Sequence, residues 1–504
     1  MKKNNLKVDV IISYISLVTT VIITFFLTKY QLKFLGKEQY GIIALVNSVI
    51  GYISILDLGI GQTVTRYVAL YKSKGEKDKL EQLVGNSFKN YIKISLIGII
   101  FGTVIVLNSN NIFPNLTTTE AYLFKTCFVI ALFNIILQIP GATFNSVLVA
   151  HQKFKFLKLA TIVKNITRAI AMIVLLHLGY NVIMIFVVDL IINQAVNLLN
   201  FLMVKHSLKV KMNFTKLDKE ITNQIKHYSF FVFLGIITDQ IFWKTDGIIL
   251  GMFSTISIVG IYNISAQLVS QYLNFSSTFS GVFLPKLTEM VSKGASKNEI
   301  NNFFTKASKF QFMIVAMILI NYIFLGKQFI LLWVGPSMIE AYYFGLVIFI
   351  ALTVPMFQTT GYQILFAMNK HKFRSIVYLF NAILNLFMSV ILFKIIGPMG
   401  PALATAIAMF IGNTLIMNIY YKKILELKLI RFFSTVCGRT GIIAILTSGI
   451  FIILNNYIIE NSFLTLILKA AISNSLYIIG IYFVSLSKEE RNKVYSKFKK
   501  KVKA

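Results

Sequence analysis

The chain of 504 residues is 56% hydrophobic and only 14% charged, with a mean hydropathy of +0.72. A soluble protein of this length carries roughly a quarter charged residues, and here apolar runs of about 20 residues, the length that crosses a bilayer, recur from end to end. A soluble fold is excluded, and the net charge of +31 does not mark a nucleic-acid binder, because its Lys and Arg residues fall in short segments between apolar runs.

The N-terminus, MKKNNLKVDV, leads straight into an apolar run with no small-residue cleavage site before TKYQLKFLG, so no signal peptide is expected. Fourteen transmembrane helices are predicted, at 8–28, 41–63, 91–108, 122–145, 157–178, 181–204, 227–251, 257–283, 310–334, 342–366, 374–396, 400–421, 432–454 and 463–486. The fold class is all-α polytopic.

Alternate connections are strongly basic: the N-terminus with Lys2, Lys3 and Lys7, the segment from Arg66 to Lys89, Lys153 to Lys158, Lys205 to Lys226, Lys286 to Lys309, Lys370 to Arg374, Lys422 to Arg431 and the tail SKEERNKVYSKFKKKVKA. The opposite set, among them LNSNNIFPNLTTTE, HLGYN, MFSTIS and LNNYIIENS, carries no Lys or Arg. Only the first outer loop, with Lys29, Lys33 and Lys37, breaks the alternation. Basic connections stay inside, which predicts a cytoplasmic-membrane protein with both termini cytoplasmic and basic loops against anionic headgroups.

Two local similarities recur at one spacing. KEQYGIIALVNS resembles ISIVGIYNISAQ, pairing Gly41 with Gly260, and LVAHQKFKF resembles LFAMNKHKF with a two-residue gap, pairing Lys153-Phe154 with Lys372-Phe373; each pair is 219 residues apart. A shift of six helices preserves orientation, so a parallel repeat is expected, with alternating access between the two halves. The expected organisation is an N-terminal six-helix lobe at 1–206, a cytoplasmic linker at 207–226, a second lobe at 227–421, helices 13 and 14 at 422–486, and a basic tail at 487–504.

Charges near mid-bilayer are costly and mark partners or ligands. Asp57 and Gly61 of ILDLGIGQTVTRY are expected on one helical face, with Arg66 at its end as either an ion-pair partner or a ligand contact. Lys164 and Arg168 lie one turn apart on a single face of span 5; two like charges there want an anion or a carboxylate, and Asp189 of span 6 is the nearest carboxylate on offer. Span 7 places Asp239, Trp243 and Asp246 on one face with Lys244 turned away. Span 8 carries a polar stripe of Asn263, Gln267, Gln271 and Asn274, read either as interhelical hydrogen bonding or as a polar cavity wall. Asn381 and Asn385 of span 11 fall near the repeat positions of Lys164 and Arg168.

No P-loop, nucleophile motif or His/Cys metal spacing is found, so neither an enzyme nor a metal protein is expected, and no cofactor. Cys127 and Cys437 are too isolated for a disulfide framework. Any energy comes from an H+ or Na+ gradient, with Asp239 and Asp246 as ion-coupling candidates beside Asp57 and Asp189, or from the substrate's own gradient.

The segment 34–69, FLGKEQYGIIALVNSVIGYISILDLGIGQTVTRYVA, resembles the opening of the polysaccharide-transport branch of the multidrug/oligosaccharidyl-lipid/polysaccharide exporter superfamily. The pattern is carried by Leu35, Gly36, Tyr40, Gly41, Leu56, Asp57, Leu58, Gly59 and Arg66. The resemblance implies two lobes that flip an undecaprenyl-diphosphate-linked oligosaccharide to the outer leaflet for surface polysaccharide such as O-antigen. The substrate is then the partner, with membrane lipids, in a monomer working beside glycan-assembly proteins and without nucleic acid. On this reading Lys164 and Arg168 hold the pyrophosphate. Asp57, Arg66, Asp189, Lys244 and the Asn and Gln residues line the cavity, Trp243 stacks on a sugar, and helices 13 and 14 form a groove for the lipid tail. Alternatives are a peptidoglycan-precursor or teichoic-acid flippase and an ion-coupled multidrug exporter, the last disfavoured by its usual twelve spans and acidic cavity. A glycan polymerase or ligase is disfavoured by the short outer loops.

Overall fold

The computed structural model describes residues 3–215, 219–281, 283–458 and 460–492. Lys2, the linker positions 216–218 and the tail positions 493–504 lie outside the described residues. Among the described residues the chain is helical throughout and contains no strand, as a bilayer demands of a backbone that cannot hydrogen-bond to solvent.

In the N-terminal part, α1 covers Lys3–Ile53, α2 Ile60–Lys74, α3 Lys77–Ile112, α4 Thr118–Ala150, α5 Phe154–His177, α6 Val182–Leu202 and α7 Lys219–Phe253. There follow α8 (Ile256–Gly281), α9 (Leu284–Ser292), α10 (Lys297–Val334), α11 (Ala341–Phe357) and α12 (Thr359–Ala367). The chain closes with α13 (Lys372–Ile396), α14 (Gly400–Met409), α15 (Met417–Leu425), α16 (Leu429–Tyr457) and α17 (Phe463–Gly480).

Nine helical stretches among the described residues are long and apolar enough to cross a membrane. Two of them, Ile15–Lys74 and Lys372–Leu425, run to 60 and 54 residues and each hold two predicted spans. The pair α11 and α12, bent by 40°, supplies span 10, and α7 and α8 coincide with spans 7 and 8. Each of the fourteen predicted spans thus falls on helix.

Two details differ from the sequence expectation. The first outer loop is not a loop: α1 continues through Lys29, Lys33 and Lys37 with one break at Gly36 (φ 73°, ψ 177°). Gly36 is the sole residue there that tolerates such angles without a Cβ penalty. Span 2, predicted as one helix, is discontinuous. A short 3-10 turn at Ser54–Asp57 ends in left-handed Leu58 (φ 50°) and Gly59 (φ 70°) before α2 begins. Gly59 is required twice over, since a β-carbon there would also meet Val232 Cβ at 2.7 Å and the Ser229 carbonyl oxygen at 2.8 Å.

By internal contacts the chain divides into two compact units, Met1–Gly260 and Ile261–Ala504. In the first, α1 packs on α4, α5 and α7, and α4 packs on α3 and α6. Helix α7, expected to open the second lobe, falls here because it packs on α1 and α2. In the second, α13 packs on α14, and α10 packs on α11, α16 and α17.

Each unit has a core in which short amphipathic helices close the ends of long ones. Val64, Val68, Leu80, Leu83, Val147, Leu148 and Val204 form one. Leu287, Ile300, Phe304, Ile364, Leu365, Tyr421 and Val436 form the other. Val68 and Leu287, both fully buried, stand 219 residues apart, the spacing of the sequence repeat. Cys127 and Cys437 are free thiols.

Candidate functional site

The helix break places Asp57 where α2 begins. Backbone N–H groups of Gly59 and Gly61 donate to its carboxylate, satisfying donors that a helix start leaves open. The Tyr91 hydroxyl of α3 donates to Oδ1 at 2.5 Å. The expectation that Asp57 and Gly61 share a helical face is therefore replaced by a break that folds the carboxylate back, 3.5 Å from where a Gly61 β-carbon would lie. Arg66 forms no ion pair with Asp57; its guanidinium stacks over Tyr228 with 4.5 Å to the ring centroid.

Lys164 and Arg168 lie on α5 as read from the sequence, and α6 brings Asp189 to them. Arg168 takes both oxygens of that carboxylate in a fork: Nε bonds Oδ1, and Nη2 bonds Oδ2 at 3.0 Å. The pair is 32% and 24% exposed, so it borders accessible space rather than sealed core. Lys164 is half-buried, feels both Asp189 and Arg168, and makes no salt bridge among the described residues. One negative and two positive charges leave this cluster with a surplus positive charge. Asn165, beside it, donates to Thr20 Oγ1 of α1 at 2.9 Å.

On α7, Asp246 is 2% exposed, Trp243 is half-buried and Asp239 exposed, so their common face passes from an accessible end into the protein interior. Next to Asp246, Thr245 is hydrogen-bonded to Tyr52 of α1. Lys244 is half-buried and packs its stem against Gly51, whose missing side chain makes room for it.

In the second unit the α8 stripe runs from half-buried Asn263, Gln267 and Gln271 to exposed Asn274. Gln271 borders an open cavity of about 410 Å³ lined by α8, α10, α11 and α17, whose wall is otherwise apolar and aromatic apart from Asn321. Asn321 is hydrogen-bonded to Asn474 of α17 at 2.7 Å.

Asn381 and Asn385, expected to offer amides to a ligand, are fully buried and engaged in joining helices. Asn381 Nδ2 donates to Asn413 Oδ1 at 3.1 Å, and its amide fills the space that Gly412 leaves open. Asn385 Oδ1 accepts from Thr405 at 3.2 Å and Ser389 at 3.1 Å. Asn385 and Thr405 thus tie α13 to α14 as Arg168 and Asp189 tie α5 to α6: a charged tie in the first unit, a neutral one in the second.

The sequence reading passed over two features, both uncharged. One is Tyr91, whose role depends on the break in span 2. The other is a group of four amides on α4 and α6: Asn134, Gln138, Gln194 and Asn197. Their spacings, four on α4 and three on α6, are the signal a search for neutral polar stripes would have found. Among the described residues no group of three His, Cys, Asp or Glu side chains is arranged to hold a metal ion.

A family model described as polysaccharide biosynthesis protein matches residues 6–291. The uncharacterized membrane protein EpsK of Bacillus subtilis (strain 168) is 22% identical over 504 residues, 95% of each chain. Among solved structures, the lipid II flippase MurJ in an inward closed conformation is similar with a TM-score of 0.73 and 17% identity, over 94% of this chain and 97% of that one. An inward-facing multidrug resistance MATE family transporter of the MOP superfamily gives a TM-score of 0.66 and 12% identity, over 81% of this chain and 94% of its own. At these identities the solved structures speak to the fold.

Proposed function

Because the chain belongs to the polysaccharide biosynthesis protein family, within the multidrug/oligosaccharidyl-lipid/polysaccharide exporter superfamily, we propose that it flips a polyprenyl-diphosphate-linked oligosaccharide across the cytoplasmic membrane. The observation that carries this reading is Lys164. Arg168 takes both oxygens of Asp189, and Lys164, which feels that carboxylate, makes no salt bridge among the described residues. An ammonium at the centre of a spanning helix costs about 2.5–3.5 kcal/mol on insertion scales, and a diphosphate entering beside it offsets that cost with charge-assisted hydrogen bonds.

The surplus positive charge of α5 and α6 suits the diphosphate. Asp246, buried on α7, is the carboxylate best suited to carry a coupling proton or sodium ion, with Asp239 at the accessible end of the same face.

The test is reconstitution in liposomes with a short-chain polyprenyl diphosphate oligosaccharide as probe. Lys164→Ala is expected to lower the initial rate at least tenfold with an unchanged melting temperature. An unaltered rate would remove the anion site. A wild type that moves cationic drugs and no lipid-linked glycan would replace the flippase reading with the multidrug one.

A further inference from the structure

The four amides of α4 and α6 lie near the middle of their helices, where a neutral polar group is retained for a reason. Gln194 Nε2 donates to Asn134 Oδ1 at 3.0 Å and to the Asn134 carbonyl oxygen at 3.2 Å. Gln138 Nε2 donates to the same Oδ1 at 3.1 Å, and Asn197 Nδ2 donates to Gln194 Oε1 at 3.0 Å. Room for Asn197 is made by Gly141, whose β-carbon would lie 2.7 Å from the amide.

This chain of bonds uses only part of what four carboxamides offer. The Asn134 amide nitrogen, Gln138 Oε1 and Asn197 Oδ1 have no hydrogen-bond partner among the described residues, and none of them is sealed from the surroundings. All four side chains are half-buried. The open groups do not belong to the lipid-facing stripes, which are apolar on both helices: Val129, Phe133 and Leu137 on α4, and Ile191, Leu198 and Leu202 on α6, are exposed. Interhelical attachment alone needs one reciprocal amide pair; here an additional donor group and two acceptors stand ready.

On α6 the cluster follows Asp189. At 1.5 Å of rise per residue, Gln194 lies roughly 8 Å and Asn197 roughly 12 Å further along the axis. Around that axis, at about 100° per residue, they are turned roughly 140° and 80° from Asp189, so the cluster faces α4 while Asp189 faces α5. No charged side chain takes part in the cluster, and a carboxamide presents a donor beside an acceptor, matching neighbouring hydroxyls on a sugar ring.

We propose that Asn134, Gln138, Gln194 and Asn197 form a subsite for the hydroxyls of an uncharged sugar of the transported glycan. This assignment rests on the flippase reading above and adds the class of sugar to it.

The experiment compares two probes in proteoliposomes: a polyprenyl diphosphate carrying a neutral hexose trisaccharide, and the same polyprenyl diphosphate without the glycan. Gln194→Met and Gln138→Met keep side-chain length and remove the hydrogen-bonding groups. The subsite predicts at least a tenfold lower rate for the glycan-bearing lipid and less than a twofold change for the bare one. Equal loss on both probes, or no loss on either, overturns it. Gln138→Met removes one hydrogen bond, internal to α4, against three for Gln194→Met, two of them between helices, and covers the case in which the latter does not fold. If the wild type moves neither probe, the flippase reading fails, and calorimetry with the free trisaccharide then judges the cluster separately. Binding by the wild type, weakened at least tenfold in Gln138→Met, supports the subsite; no binding by the wild type overturns it.

Discussion

Gly41 and Gly260, aligned by the sequence repeat, pack backbone against backbone: a β-carbon on Gly260 would lie 3.2 Å from Gly41 Cα and 3.1 Å from the Lys37 carbonyl oxygen. A second pair with the same spacing of 219 residues accompanies them, Ser257 Oγ donating to Glu38 Oε1 at 3.3 Å. Positions that an internal duplication makes equivalent therefore touch each other where α1 meets the first turn of α8.

The two glycines are not equally tolerant. A β-carbon on Gly41 would come within 2.8 Å of the Ile256 carbonyl carbon, rigid backbone that cannot swing aside, whereas the contacts at Gly260 need a shift of only a few tenths of an ångström. Gly41→Ala is expected to destabilise by about 1–3 kcal/mol and Gly260→Ala by clearly less. Melting temperatures in detergent measure the order; the reverse order contradicts the close approach described.

For the Arg168–Asp189 fork, removing one partner strands the other charge in a spanning helix. Such a loss costs about 3–5 kcal/mol in a fully buried pair and less here, because both side chains retain some exposure. Arg168→Leu and Asp189→Leu are each expected to lower the melting temperature, and the double variant to melt above either single one. A double variant that melts at the sum of the two losses would mean that the residues do not interact.

Pro140 has no N–H to give the Ile136 carbonyl one turn earlier in α4, and Ser95 of α3 supplies the missing donor at 3.0 Å. Ser95→Ala leaves that carbonyl unpaired at a cost of about 1–3 kcal/mol. With Pro140→Ala in place the helix restores its own bond, and the cost of Ser95→Ala is expected to fall. Thermal melts of the four proteins in this cycle decide it: equal costs in both backgrounds would show that Ser95 does not serve the proline.

Lys309 of α10 holds Glu490 at 3.0 Å, with the two side chains 15% and 11% exposed. Burial alone would raise the Glu490 carboxyl, but the Ser487 backbone N–H and the Lys309 ammonium together outweigh it and hold the group below its ordinary value. A carboxyl depressed on folding contributes stability that is complete above its unfolded pKa, roughly 4.3, and fades as pH falls through the folded value. The melting-temperature gap between wild type and Glu490→Gln should therefore be constant near neutrality and narrow below about pH 4. A gap unchanged at acid pH would show that the ion pair is not its source.

Spans, charge alternation and the repeat were legible in the residues because each depends on short-range pattern: hydrocarbon thickness sets run length, and basic side chains mark the connections. Lys164, Arg168 and Asp189 were legible for a related reason, since an ionised group in an apolar run is conspicuous. The break at Ser54–Gly59 was not, although Gly59 and Gly61 stand in plain view, because glycine is also common inside spanning helices. Nor was the amide cluster, whose members are ordinary interhelical residues until their unspent donors and acceptors are counted.

Composition and periodicity thus suffice to make this chain a many-helix membrane protein with a duplicated plan, because the bilayer imposes one-dimensional rules that a sequence obeys locally. Which carboxylate answers which cation is a matter of three-dimensional proximity. Arg168 rather than Lys164 takes both oxygens of Asp189, Tyr91 rather than Arg66 meets Asp57, and Asn381 and Asn385 are drawn into helix joints. These choices depend on how helices distant in the chain are packed and turned, and on a competition for partners that no single helix records.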